Sequence, residues 1–297
     1  MTLVSKNSVV NLPRPVQVPA VSLVREGVAR LELAANQSGK TVLRDLFHSQ
    51  PLRLLFPLES GRDVFQAVIA CVSGGLVGGD RLDVTVKLGQ NAQAMVIGQA
   101  AEKVYRSLGA DCQIENSLEV GAGAWLEWLP QETIIFDGAR LRRRTIARIQ
   151  DGGALLAGEI LAFGRGASGE SLTHGLIQDG WEIRGSDGAL IWKDVLRMDG
   201  DLAALLAHPA SFDGARAYGT IIFAGAAARA LLDVVRAELE KFAGLLRIGV
   251  TLVRGILLVR ILGRSVIELR QAYAALWSLL RHRAADLPQL LPRLWAV

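Results

Sequence analysis

A chain of 297 residues with 51% apolar residues, 21% charged residues and a net charge of +4 has a globular composition, neither disordered nor collagen-like. A chain of this length buries about three quarters of the surface its unfolded form exposes, so it needs no staple; its two cysteines, Cys71 and Cys112, lie far apart, outside any metal-ligand spacing, and exclude a disulfide-dense secreted scaffold. The charge is uneven: residues 236–297 hold ten Arg or Lys against four Asp or Glu, spaced along apolar stretches as on a solvated or protein-docking face, a pattern that argues against nucleic acid.

At the N-terminus a single early Lys6 is followed by Pro13, Pro15 and Pro19 instead of a continuous apolar run, so no signal peptide is expected and residues 1–26 read as a loosely ordered arm. The longest uncharged stretch, Val64 to Gly79, has 16 residues and four glycines, short of the ~20 a membrane helix needs. A cytoplasmic protein without a membrane segment is the expectation. In Arg81–Leu88 the set Leu82, Val84, Val86, Leu88 alternates with Arg81, Asp83, Thr85, Lys87, the period-two pattern of a half-buried strand. Cys112–Val120 repeats the alternation, and Trp181–Met198 reads as two strands about a Ser186-Asp187-Gly188 turn. Glycine pairs punctuate these runs, as in an all-β domain. Two helices follow: Ala226–Phe242, with Arg229/Asp233 and Arg236/Glu240 spaced to pair at i,i+4, and one opened by the capping box Ser265-Val266-Ile267-Glu268. Behind that box Val266, Leu269, Tyr273, Leu276, Trp277 and Leu280 form one apolar stripe. Between the helices Arg247–Leu262 is strand-like. No linker or repeat divides the chain, which reads as one domain over 1–297.

The chemical motifs are mostly negative. Ser73-Gly-Gly-Leu-Val-Gly-Gly-Asp80 lacks a phosphate loop's Gly-Lys-Ser/Thr ending and precedes a strand, which leaves no helix N-terminus to hold phosphate. It reads as a tight turn needing positive φ or close backbone approach. The four histidines stand alone, and neither a seryl elbow nor a paired Cys/His signal is present. A non-enzyme is therefore expected. Acidic and Arg/Tyr residues do gather beside glycines at strand ends, among them Asp80, Glu102, Glu127, Glu132, Asp137, Glu159 and Glu170.

Several segments resemble the urease accessory protein family UreD, also called UreH. They are Ser73-Gly-Gly-Leu-Val-Gly-Gly-Asp-Arg-Leu82, Gln99-Ala-Ala-Glu-Lys-Val-Tyr-Arg-Ser107, Leu126-Glu-Trp-Leu-Pro-Gln-Glu-Thr-Ile-Ile-Phe-Asp-Gly-Ala139, Phe163-Gly-Arg-Gly-Ala-Ser-Gly-Glu170, Arg260-Ile-Leu-Gly263 and Pro292-Arg-Leu-Trp295. The resemblance implies a mostly β protein of stacked short sheets resembling a β-helix, with two C-terminal α-helices. It also implies a scaffold that works with UreF- and UreG-type accessory proteins, the latter a GTPase, to deliver nickel to apo-urease through an internal passage. On that basis no cofactor is tightly bound and Ni²⁺ is in transit. Asp80, Glu127, Glu132, Asp137 and Glu170 are the expected weak transit ligands, and Arg270, Tyr273, Trp277 and Arg281 of the last helix the expected partner contacts. One departure is Ile97-Gly98 and Glu102 where the family is commonly Thr-rich, which adds a carboxylate to the passage. The alternatives are an adaptor that handles no metal, and a carbohydrate-active β-stack using Glu127 and Glu132, for which the aromatic platform is missing.

Overall fold

The computed structural model describes residues 24–57, 63–165 and 169–295; the Pro-rich part of the expected N-terminal arm and residues 166–168 of the fourth resembling segment lie outside them. Strands β1 (Glu26–Ala35), β2 (Thr41–His48), β5 (Arg81–Leu88), β8 (Cys112–Val120), β11 (Arg140–Ile149), β13 (His174–Arg184) and β14 (Leu190–Asp201) form a seven-stranded sheet in the order β14-β13-β11-β8-β5-β1-β2. A second, ten-stranded sheet runs β16-β17-β15-β12-β9-β6-β4-β3. Its members are β3 (Leu52–Leu55), β4 (Phe65–Cys71), β6 (Gln93–Gly98), β9 (Trp125–Leu129), β12 (Ala154–Phe163), β15 (Ala217–Ala224), β16 (Arg247–Val253) and β17 (Ile256–Gly263), with β7 (Glu102–Val104) and β10 (Thr133–Ile135) beside this path.

From β4 to β13 the chain alternates between the sheets, and each strand pairs in parallel with the one a full coil earlier: β1-β5-β8-β11-β13 in one sheet, β4-β6-β9-β12 in the other. The result is a stack of coils like a β-solenoid. Parallel pairing needs such crossovers, since a tight hairpin reverses direction. Antiparallel strands close the stack at both ends, and β13–β14 is the hairpin expected at Asp187-Gly188, longer at both ends than the alternation alone suggested. The expected strands Arg81–Leu88 and Cys112–Val120 are β5 and β8.

The ten-stranded sheet is buried on both faces. Along β9, Leu126 and Trp128 face the seven-stranded sheet, while Trp125 and Leu129 face helices α2 (Ala228–Leu239) and α3 (Val266–Ala285). Three layers follow: sheet, sheet, helices. Ser265 caps α3 by accepting the Glu268 N–H at 3.3 Å. In α2 the observed pair is Arg236–Asp233 at i,i+3, 3.0 Å, rather than either expected i,i+4 pair. A third helix, α1 (Leu202–Ala207), is six residues long and capped by Asp201; it is too short for periodicity to reveal. The Ser73–Asp80 turn is the tight turn expected: Gly74 and Gly79 have φ of 77° and 96°, and a Cβ on Gly75 would lie 2.4 Å from the Tyr105 ring.

Candidate functional site

Period two turns Leu141, Arg143, Thr145 and Ala147 of β11 to the same side, into the space between the sheets. Arg143 is therefore buried, and a buried guanidinium needs partners. Strand register supplies one directly, because Arg143 lies opposite Asp179 on β13. Its Nε donates to Asp179 Oδ1 at 2.9 Å, Nη1 to Thr133 Oγ1 at 2.9 Å and Nη2 to Glu159 Oε2 at 2.9 Å, with a further Nη2 bond to Asp179 Oδ2. Trp181 Nε1 donates to the other Glu159 oxygen at 2.9 Å. Two carboxylates against one cation leave an excess negative charge. Burial and then the neighbouring Asp179 charge push Glu159 up to about 8, so a proton on Glu159 neutralises the group near pH 7.

This cluster bounds a cavity of about 230 Å³ between the sheets, lined also by Asn116, Thr145, Gln131 and Trp128. Asn116 Nδ2 donates to Thr145 Oγ1 at 3.0 Å. The cavity opens beside the exposed Gly74, Gln99, Ala100 and Lys103. At this mouth stand Cys71 and Glu102. Cys71 Sγ lies 3.2 Å from Ser73 Oγ, and Glu102 accepts the Lys103 N–H at 3.2 Å. Burial raises Glu102 to about 7, partly offset by its hydrogen bond with Cys71; burial and the Glu102 charge in turn raise the Cys71 thiol. Cys112, buried nearby, is pushed up to about 12 by burial and then by Asp80. Both cysteines are free thiols.

None of the five carboxylates singled out as transit ligands lines this cavity, and the fold does not bring them together. Asp80 is fully buried and closes the glycine turn, accepting from Arg25 N at 3.1 Å and Val77 N at 3.0 Å. Glu127 lies on the opposite, helix-facing side of β9, where Trp125 Nε1 at 3.0 Å, Trp277 Nε1 at 2.7 Å and Arg281 Nε at 3.1 Å converge on it. Glu132 pairs with Arg270 and Glu170 with Arg165, the latter at 2.8 Å. Asp137 accepts from Thr173 N and Oγ1, both at 2.7 Å, and from His174 N at 3.2 Å; against the opposing effect of burial these bonds lower it to about 2. Glu127 and Glu132 are thus each held by a different arginine of α3, Arg281 and Arg270, about 16 Å apart along the helix, and do not face one another as a catalytic pair.

The expected partner contacts are corrected more sharply. Tyr273, Trp277 and Arg281 are completely buried, because the apolar stripe of α3 covers the outer face of the ten-stranded sheet. Arg281 reaches past Glu127 to Asp63, at 2.5 Å, and to the Pro288 and Leu290 carbonyls. Only Arg270 is near the surface, and it stacks on Trp295 at 4.4 Å. A stripe read as free for a partner is already filled by the chain's own sheet.

Arg143 and Asp179 went unread in the sequence, although parity carries the signal: Arg143 shares a side with Leu141 and Thr145. Glu159 stands inside the apolar run Leu155–Phe163, where a carboxylate demands a partner. Among the described residues, no group of three or more His, Cys, Asp or Glu is placed to hold a metal ion, and no helix is long and apolar enough to cross a membrane.

The family described as UreD urease accessory protein matches residues 25–296. A urease accessory protein UreD from Magnetococcus marinus is 43% identical over 276 residues, covering 92% of this chain and 94% of its own length. One named urease accessory protein UreD 2, from Methylorubrum populi, is 39% identical over 95% of this chain and 93% of its own. A third, from Granulibacter bethesdensis, is 41% identical over 82% of this chain and 99% of its own.

Proposed function

The chain belongs to the UreD urease accessory protein family, and we propose that in urease maturation it is a non-enzymatic cytoplasmic scaffold that passes nickel towards apo-urease, in complex with a UreF-type protein and a UreG-type GTPase. The observation that carries this reading is the cavity between the sheets, whose largely apolar wall has polar side chains set into it. The interior of a two-sheet stack is normally dry and apolar, yet here Glu102, Glu159, Thr133, Thr145 and Asn116 converge on about 230 Å³, ample for several waters. Nickel takes carboxylate, carbonyl and water oxygens as well as softer donors. A conduit must hold its ion weakly at successive places so that the ion also leaves. Isolated carboxyl groups, with the Cys71 thiol beside Glu102 at the mouth, suit passage better than storage. In this reading Glu102 and Glu159 line the route, while Asp80, Glu127, Glu132, Asp137 and Glu170 serve it by holding the surrounding turns and α3 in place.

Complementation tests the reading. Expressed in a urease-positive host lacking its own UreD-type protein, this chain restores nickel-dependent urease activity. Soluble chain without restored activity overturns it. Full restoration by Glu102→Gln at limiting nickel leaves an adaptor that does not handle the metal.

A further inference from the structure

The pairing of the ten-stranded sheet breaks off and resumes on its way across. β6 pairs β9 along residues 93–97 and 125–129, and β7 pairs β10 along 102–104 and 133–135, which leaves 98–101 and 130–132 outside both ladders. On β12 the matching gap is Gly158, Glu159 and Ile160, between its pairing with β9 and its pairing with β10. Pro130 has no N–H to offer across it. The result is a slit through the sheet, with β12 intact as its far wall because β15 pairs it throughout. One end of the slit is the cavity mouth at Gln99 and Ala100; at the other end the lining residues Gln131 and Glu159 are buried.

That buried end is covered from outside by α3 and the last residues of the chain. A Cβ on Gly158 would lie 2.3 Å from the Tyr273 hydroxyl, so α3 presses this hydroxyl onto β12 one residue from Glu159. Arg270 Nη1 donates to Gln131 Oε1 at 2.9 Å and also pairs with Glu132, while Gln131 Nε2 donates to the Leu294 carbonyl at 2.8 Å. Trp295 lies between the Tyr273 ring, at 5.4 Å, and the Arg270 guanidinium, at 4.4 Å. Arg281 holds the Pro288 and Leu290 carbonyls, which leaves residues 291–295 as the part free to lift.

Among the described residues two buried side-chain polar atoms have no hydrogen-bond partner, the Tyr273 hydroxyl and Trp295 Nε1, and both belong to the stacked rings of this joint. Buried tyrosine and tryptophan ordinarily find a partner. Burying two that do not costs desolvation without return, and lifting 291–295 gives both back to water. Stacking closes the joint, and the unpartnered groups make it easy to open.

We infer that residues 291–295 are a gate, with Trp295 as its plug, over a second opening of the cavity at the Gln131–Glu159 end of the slit. The role of that opening as an outlet rests on the reading of the cavity as an ion passage. A chamber with one mouth returns its ion to where it entered, whereas a conduit needs two ends. With the plug lifted, Gln131 loses its tie to Leu294 and no longer fills the slit, and the way out lies on the α3 side.

Access to the cavity is measured on the full chain with a reporter thiol. In a Thr133→Cys variant, or Thr145→Cys should that misfold, Cys71 at the mouth is first capped with a bulky maleimide. The reporter, deeper in the cavity, is then labelled with iodoacetamide and read by mass spectrometry. Trp295→Ala should speed labelling about tenfold or more, and Tyr273→Phe, which removes only an unpartnered hydroxyl, should slow it severalfold without lowering the melting temperature. At limiting nickel Tyr273→Phe should slow urease activation in the same proportion. Should Trp295→Ala misfold, Trp295→Phe keeps the stack, removes the other unpartnered group and should also slow labelling. Faster labelling and a lower melting temperature in every variant would make the joint merely structural and overturn the inference, as would one labelling rate throughout. The labelling needs neither nickel nor urease. Gated labelling beside full urease activation by Glu102→Gln removes the nickel passage and leaves the gate, whereas ungated labelling in a chain that restores urease removes the gate alone.

Discussion

Glu159 shows how a single buried carboxyl ties stability to pH. Its ordinary value is 4.5 and the fold holds it near 8, through burial first and the Asp179 charge second. Below pH 4.5 both folded and unfolded chains carry its proton. Between 4.5 and 8 only the folded chain does, so its contribution declines as pH rises, by at most about 1.4 kcal/mol per pH unit, and levels off above 8. Glu159→Gln cannot titrate. The difference in urea midpoint between wild type and Glu159→Gln should accordingly shift in the variant's favour from pH 5.5 to pH 8.5; a constant difference contradicts a protonated Glu159. Glu102 is the complementary case, half-buried at the mouth and free of a guanidinium partner at hydrogen-bond distance. In the proposed function, removing its charge takes away a weak nickel ligand but little structure. Glu102→Gln should melt within a few degrees of wild type, yet slow urease activation at limiting nickel; losing ~1.4 kcal/mol at the slowest step is about a tenfold effect.

Between elements, the decisive contact is the one between α3 and β9. Glu127 and Arg281 are both fully buried, and Trp125, Trp277, Asp63 and two backbone carbonyls complete their hydrogen bonding. A pair of this kind adds little over apolar packing but is costly to break on one side. Arg281→Met should therefore destabilise the chain by about 3–5 kcal/mol, because it strands a buried carboxylate. Glu127→Leu/Arg281→Met should recover a large part of that loss, read as the melting temperature of the three proteins side by side. Equal destabilisation by the single and double variants would mean that the charge pairing is not what holds α3. The C-terminal clasp acts at the same joint: Trp295 stacks on Tyr273 at 5.4 Å under Arg270, and Gln131, which lines the cavity, bonds the Leu294 carbonyl at 2.8 Å. The end of the chain is thereby tied to the wall of the cavity.

Over the whole molecule, the ten-stranded sheet has two apolar faces and only one sheet to pack against, so α2 and α3 complete the fold rather than decorate it. A chain ending at Gly263 lacks α3 and bares Ile221, Phe223, Val259 and Ile261. An apolar area of that size is an aggregation hazard. The truncated protein should be insoluble or form light-scattering assemblies at micromolar concentration, while the full chain at the same concentration scatters less. Equal behaviour of the two would show that α3 is an appendage.

What the amino-acid order determined by itself is everything local. Alternation in Arg81–Leu88 and Cys112–Val120 specified strands to the residue, the Ser265–Glu268 cap and its stripe specified α3, and the glycines of Ser73–Asp80 specified a turn. These follow from backbone geometry and period, which act over a few residues. Which face each pattern buries was decided only by the coil stack. The α3 stripe looked available to a partner and is spent on the chain's own sheet. Five carboxylates beside glycines looked like one path and hold five separate turns and joints. Arg143, Asp179 and Glu159 stand 16 to 36 residues apart in their pairing, and come together because each coil lays its strand in register on the last. Burial and charge pairing are properties of that register, and no window of sequence contains it.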